Sequence, residues 1–155
     1  MYTQILVPLD GSETSERALP HAQDLAQAFG ATLHLLQAIS RAEELDIIRS
    51  GDASALEQEY SRDSAQRLIE ARKGRAEQYL SQTAARLGTD GLQVKTSLLE
   101  GEASEKIDEY VTAQNIDLIV MSTHGHGGLR RFLTGSVTDR VIRSVAVPVL
   151  AVPPA

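Results

Sequence analysis

Short apolar runs alternate along this chain with longer stretches in which apolar residues recur every three or four positions. Runs of the first kind are strands and stretches of the second kind are amphipathic helices, so their alternation predicts βαβ units and a parallel sheet. Five strands are expected: "TQILVPL" at 3 to 9, "TLHLLQAI" at 32 to 39, "LQVKTSLL" at 92 to 99, "DLIVMS" at 117 to 122 and "PVLAV" at 148 to 152. Helical stretches fill the four intervals between them. The expected fold is a single open parallel five-stranded α/β sheet, order 3-2-1-4-5, Rossmann-like, with helices on both faces.

The first helical stretch lies in "GSETSERALPHAQDLAQAFG", where Ser12 is placed to cap its start and Gly30 to end it. Leu19, Ala22, Ala26 and Phe29 share one face. Pro20 falls inside this stretch and removes a hydrogen bond there unless the helix starts late. From Ala55 to Leu87 the residues Leu56, Tyr60, Leu68, Ala76, Leu80, Ala84 and Leu87 form one stripe for packing on the sheet. Gly74 in its middle costs about 1 kcal/mol relative to alanine and is a candidate bend. The polar segment 41 to 54 reads as a connection, and no repeat or linker divides the chain, so residues 1–155 are expected to form one domain.

Composition narrows the function. Fifteen basic against 21 acidic residues give a net charge of −6, which disfavours nucleic acid and acidic membranes as partners. The absence of cysteine excludes a disulfide framework, a thiolate nucleophile and a cysteine-based zinc site. "MYTQILVPLD" has neither a basic n-region nor a long apolar h-region, and no apolar run approaches the roughly 20 residues of a membrane span. A cytoplasmic protein is the expectation.

Ligands of such a sheet bind beyond the carboxyl ends of its strands, where the strand order reverses, so the segments just after strands one and four are the candidate site. After strand one comes "VPLDGSE", with Asp10 and Gly11. After strand four comes "STHGHGGLRRFLTGS", with Gly125, Gly127, Gly128 and Gly135, then Ser136 and Thr138 at the start of the last helix. Bare glycine backbone lets successive N–H groups approach phosphate oxygens, and a helix N-terminus adds free N–H groups and a favourable dipole. The same residues also read as a turn glycine and an N-cap serine, with Asp139 as capping-box partner. Asp10 likewise reads either as an acceptor for ribose hydroxyls or the adenine amine, or as an Asx turn. The P-loop pattern is absent, and "GHGGLR" does not complete GxGxxG.

Together "ILVPLDGSE", "STHGHGGLRRFLTGSVTDRVIRS" and "VPVLAV" resemble the nucleotide-binding branch of the universal stress protein family. That family's pattern is glycine, two residues, glycine, nine residues, glycine, then serine or threonine. Gly125, Gly135 and Ser136 match it, while Ser122 stands at the first glycine. The resemblance implies an ATP site in which Asp10 and Ala38 face the adenosine, with Pro8 beside them. It places Met121, Ser122, His124 and Gly125 along the ribose and phosphates, and Gly135, Ser136, Val137 and Thr138 around the phosphates. Mg²⁺ or Mn²⁺ would arrive on the nucleotide, and a homodimer would form by antiparallel pairing of the strand at 148–152.

Other candidates carry less. His124 and His126 lack a third ligand nearby in sequence, Arg130 and Arg131 fit either phosphate or a solvated helix face, and His21 and His34 have no constellation around them. Phosphoryl transfer needs a group that orients the nucleophile, and no clear base accompanies the cradle. A nucleotide-dependent regulatory module of the stress response is therefore the first reading. A slow ATPase or self-phosphorylating enzyme is the second, and a partner-binding protein with an empty site is the third.

Overall fold

The computed structural model describes residues 1–40, 55–88, 91–123 and 136–153. Its strands are β1 (Gln4–Leu9), β2 (Thr32–Ile39), β3 (Val94–Glu100), β4 (Leu118–Ser122) and β5 (Val149–Val152). The helices are α1 (Glu13–Glu16), α2 (Ala18–Phe29), α3 (Ala55–Leu87), α4 (Ala103–Ala113) and α5 (Ser136–Ser144). The strands form one sheet in the order β3-β2-β1-β4-β5, all neighbours parallel, as the alternation of patterns predicts. The connection expected at 41–54 lies outside the described residues.

Alternate residues of the central strands feed two cores. Ile5, Val7 and Leu9 point to the side covered by α2 and α3, where they meet Leu19, Ala22, Ala26, Leu80 and Leu87. Leu6 points to the opposite side and joins Leu36, Ile107, Tyr110, Val111, Ile119 and Val141 under α4 and α5. Burial on both faces explains why β4 reads "LIVMS" without alternation: all five residues are buried.

Pro20 has a specific consequence for the first helix. Its missing N–H and its ring cannot coexist with a continuous helix through Glu16, and the chain resolves this by stopping α1 at Glu16 and starting α2 at Ala18. Pro20 thereby falls in the first turn of α2, where an absent N–H costs nothing. Ser12 caps α1, its side chain accepting from the Ser15 N–H, and Gly30 ends α2 at φ 65° with its N–H bonded to the Ala26 carbonyl. Phe29 is only partly covered and packs edge-on against Tyr2, ring centroids 5.5 Å apart.

Helix α3 runs without a break through Gly74. Its lower part follows the predicted stripe, with Ala76, Leu80 and Leu87 buried and Ala84 packed beside them. Leu68 departs from it at 44% exposure, and the side chains of Leu56 and Tyr60 lie outside the described residues.

His34 also departs from the sequence reading, because the fold surrounds it with partners. Fully buried in β2, it donates from Nε2 to Gln4 Oε1 at 2.7 Å and accepts at Nδ1 from the Tyr110 hydroxyl at 3.0 Å. Tyr110 in turn accepts from the Ser97 hydroxyl at 3.0 Å, which completes a satisfied polar chain across the sheet. Burial, followed by Lys95 on the adjacent strand, holds the imidazole below its usual 6.5. Below about pH 6.5, a histidine that the fold keeps neutral takes up a proton on unfolding. Its contribution is thus fully present above about pH 6.5 and is lost as the pH falls through the lower folded value. Urea unfolding is expected to show stability dropping as the pH falls below about 6.5, with a shallower slope for His34→Gln. Equal slopes would refute this role.

Candidate functional site

The β1–β4 ladder ends at Leu6↔Ile119, whereas the β1–β2 ladder continues to Leu9↔Gln37. Pro8, two residues past Leu6, has no N–H with which to extend pairing towards β4. The central strands therefore part at their carboxyl ends, where the strand order reverses.

Beyond the carboxyl ends of β1 and β2 lies an open cavity of about 590 Å³, within the size range of small-molecule sites. One wall is Asp10 and Gly11 after β1 together with Gln37, Ala38, Ile39 and Ser40 of β2 and its exit. The other wall is the α3 segment carrying Arg72, Arg75, Ala76 and Tyr79. The cavity brings together two of the sequence-predicted residues, Asp10 and Ala38. It adds five polar ones that sequence reasoning missed: Gln37, Ser40, Arg72, Arg75 and Tyr79.

The turn after β1 is tightly tied. Asp10 Oδ1 accepts from the Ser12 N–H at 2.9 Å and from the Ser12 hydroxyl at 2.5 Å, which is the Asx-turn geometry that the sequence allows as one reading. Ser15 Oγ donates to the Ser12 carbonyl at 2.9 Å and accepts from the Asp10 N–H at 3.4 Å. Gly11 lies at φ +81°, a conformation that favours glycine, and its bare Cα keeps this edge of the cavity open.

On the opposite wall, Arg72 and Arg75 are one helical turn apart and supply positive charge in a protein of net charge −6. Guanidinium groups suit phosphate oxygens and also stack on planar bases. The Tyr79 hydroxyl is buried and makes no direct hydrogen bond, although Glu16, Ser15 and Thr83 surround it. Burial first, and the Glu16 carboxylate second, raise the phenol well above its ordinary value, so it stays protonated. Gln37 Oε1 is likewise buried without a hydrogen-bond partner.

The predicted residues at the end of β4 form a different kind of assembly. Met121 and Ser122 are buried, and the Thr123 N–H donates to the Val152 carbonyl at 2.9 Å. Thr138, also buried, donates from Oγ1 to the Ser122 carbonyl at 3.0 Å, which pins the first turn of α5 to the carboxyl end of β4. Val137 packs into the core beneath α4 and α5. Ser136 is the first residue of α5 and not the residue before it, and Asp139 is bonded to Arg143 at 3.0 Å instead of closing a capping box. The predicted site residues His124, Gly125 and Gly135 lie outside the described residues, as do His126, Gly127, Gly128, Arg130 and Arg131.

Among the described residues no cluster of three or more His, Cys, Asp or Glu side chains could hold a metal ion. Among the same residues no helix is long and apolar enough to cross a membrane.

An open sheet of order 3-2-1-4-5, covered on both faces and hollowed beyond the ends of β1 and β2, defines a doubly wound α/β protein. Residues 1–153 match the universal stress protein family, and the chain belongs to it. Universal stress protein MJ0531 of Methanocaldococcus jannaschii is 31% identical over 152 residues, covering 98% of this chain and 82% of the relative. The universal stress protein UspA from Lactobacillus plantarum superposes with a TM-score of 0.78 at 25% identity, over 97% of each chain. A universal stress protein solved in complex with cAMP gives 0.61 at 22% identity, over 99% of this chain and 98% of that one. One from Archaeoglobus fulgidus in complex with dAMP gives 0.61 at 20% identity, over 97% of each chain.

Proposed function

We propose that the protein binds an adenine nucleotide, ATP carrying Mg²⁺ or Mn²⁺, and acts as a nucleotide-dependent regulatory module of the stress response. The observation that carries this reading is the cavity beyond the carboxyl ends of β1 and β2. It joins Asp10 and Ala38 to an unpartnered amide oxygen and two guanidinium groups, a donor and acceptor set that fits a base, a ribose and anionic oxygens. Related structures that hold cAMP and dAMP support the adenine class.

In this reading Asp10 and Ala38, with Pro8 beside them, hold the adenosine. Met121, Ser122, His124 and Gly125 follow the ribose and phosphates, and Gly135, Ser136, Val137 and Thr138 close on the phosphates. The N-terminal turn of α5, fixed under β4 by Thr138, offers backbone N–H groups and the positive end of its dipole to the anion. The cation rides on the phosphate oxygens and neutralises part of their charge.

Titration calorimetry tests the reading. ATP with Mg²⁺ is expected to bind more tightly than ATP alone and more tightly than GTP. Absence of binding at millimolar ATP overturns it.

The assembly proposed with this function is a homodimer paired through residues 148–152. β5 is a sheet edge whose Leu150 is 39% exposed, and an apolar edge strand invites pairing with another chain. Light scattering at micromolar concentration is expected to give a dimer, and deletion of 148–155 a monomer. A monomeric parent, or a dimer that survives the deletion, refutes the pairing.

A further inference from the structure

We propose that the Gln37 side-chain amide is the specificity element of the cleft, reading the N6–H/N7 edge of adenine with its acceptor and donor together; this rests on the nucleotide reading above. A buried acceptor without a partner is costly, and native structures leave few of them. Gln37 Oε1 is such an acceptor, and Gln37 lines the cavity beside Asp10, Gly11 and Ala38.

Its place in the sheet sets Gln37 against the cavity with Oε1 enclosed, so the oxygen meets a ligand when the amide turns about its terminal torsion. Gln37 is paired in register with Leu9, the last residue of β1, and with Leu98 of β3, so its side chain leaves the sheet where the central strand ends. The amide nitrogen lies next to Gly11, where an added Cβ would be 4.0 Å from Nε2. Leu35 and Ile39 flank Gln37 on the same face of β2 and are buried, so a polar side chain here interrupts an apolar row without any internal bond for its oxygen.

The chemistry discriminates between bases. A primary amide offers one acceptor and, beside it, a donor, in a spacing that matches the adenine amine and N7 simultaneously. Guanine and hypoxanthine present two acceptors, O6 and N7, on that edge. The amide then satisfies only one of them, and its own oxygen is left facing O6 or unpaired. The terminal torsion of glutamine is broad, so the amide turns to meet the ring with little strain.

The experiment compares ATP, ITP and 7-deaza-ATP by titration calorimetry on the full chain, for the parent and for Gln37→Leu. Leucine keeps much of the volume and removes both polar groups. The parent is expected to bind ATP about ten- to a hundredfold more tightly than ITP, and about tenfold more tightly than 7-deaza-ATP, which lacks the N7 acceptor. In Gln37→Leu all three nucleotides should converge on the weaker affinity, while ligand-free melting stays at or above that of the parent because an unsatisfied buried oxygen has been removed. A variant that keeps the parent's ATP-to-ITP ratio overturns the assignment while nucleotide binding itself stands. A parent that binds 7-deaza-ATP as tightly as ATP overturns the choice of edge. A parent that binds none of the three refutes the proposed function, and with it this inference.

Discussion

Leu80→Ala is expected to lower the unfolding free energy by about 2–5 kcal/mol, and Leu68→Ala, on the same helix, by less than about 1 kcal/mol. The two leucines belong to one stripe by periodicity, but they differ in what they touch. Leu80 is 2% exposed and sits in the core between α3 and the sheet with Leu33, Leu35 and Ile5, so truncation removes contacts and leaves a cavity that rigid strands cannot fill. Leu68 is 44% exposed, and alanine there even improves helix propensity slightly. Urea midpoints with unchanged slopes measure both. Equal losses would mean that the upper half of α3 packs as tightly as the lower half.

That contrast shows where a sequence stops being readable. Strand positions are legible to within two residues, most directly in β4, which is buried throughout and reads as an almost unbroken apolar run, whereas β3 carries exposed positions along its length. Ser12 and Gly30 are legible as caps because each acts on its own neighbours in sequence. Pro20 is legible as a conflict, and the break at Arg17 is how the chain resolves it. The end of the stripe on α3 is not legible, since period alone does not say how far a helix extends past the sheet it covers.

The site divides along the same line. Asp10 and Ala38 both line the cleft, one legible from the end of a strand and the other from family resemblance. Arg72, Arg75 and Tyr79 belong to a helix far along the chain, and charged residues a turn apart ordinarily mark a solvated face. Only the packing of α3 across β2 and β3 brings them over the strand ends. Gln37 leaves a trace, a lone amide among "LHLLQAI", but its meaning depends on finding no partner, which is a property of the folded surroundings. His34, which has no partner in the sequence pattern, proves to be well satisfied by Gln4 and Tyr110. The Thr138 hydroxyl is committed to the Ser122 carbonyl, so any role of this residue towards phosphate falls to its backbone N–H.

Gly135→Asp is expected to remove most of the stabilisation that ATP confers. Gly135 lies outside the described residues, and its successor Ser136 is the first described residue of α5. Aspartate is among the best residues ahead of a helix, accepting from its free N–H groups and interacting favourably with the dipole. Melting without ligand reads the effect of the substitution on the fold, and the ATP-dependent gain reads its effect on an anionic ligand. A carboxylate about 4 Å from a phosphate oxygen repels it by about 4 kcal/mol at an effective dielectric constant near 20. Two thirds of that figure already weakens binding about a hundredfold. For the parent at a ligand concentration of about a hundred times Kd, linkage adds about 2.7 kcal/mol of stability, and a hundredfold weaker variant at the same concentration retains only about 0.4 kcal/mol. Thermal melting with and without ATP and Mg²⁺ reads both quantities on the same samples. A variant that melts like the parent without ligand and gains as much from ATP would show that the glycine-rich segment is a connection and that the nucleotide phosphates lie elsewhere.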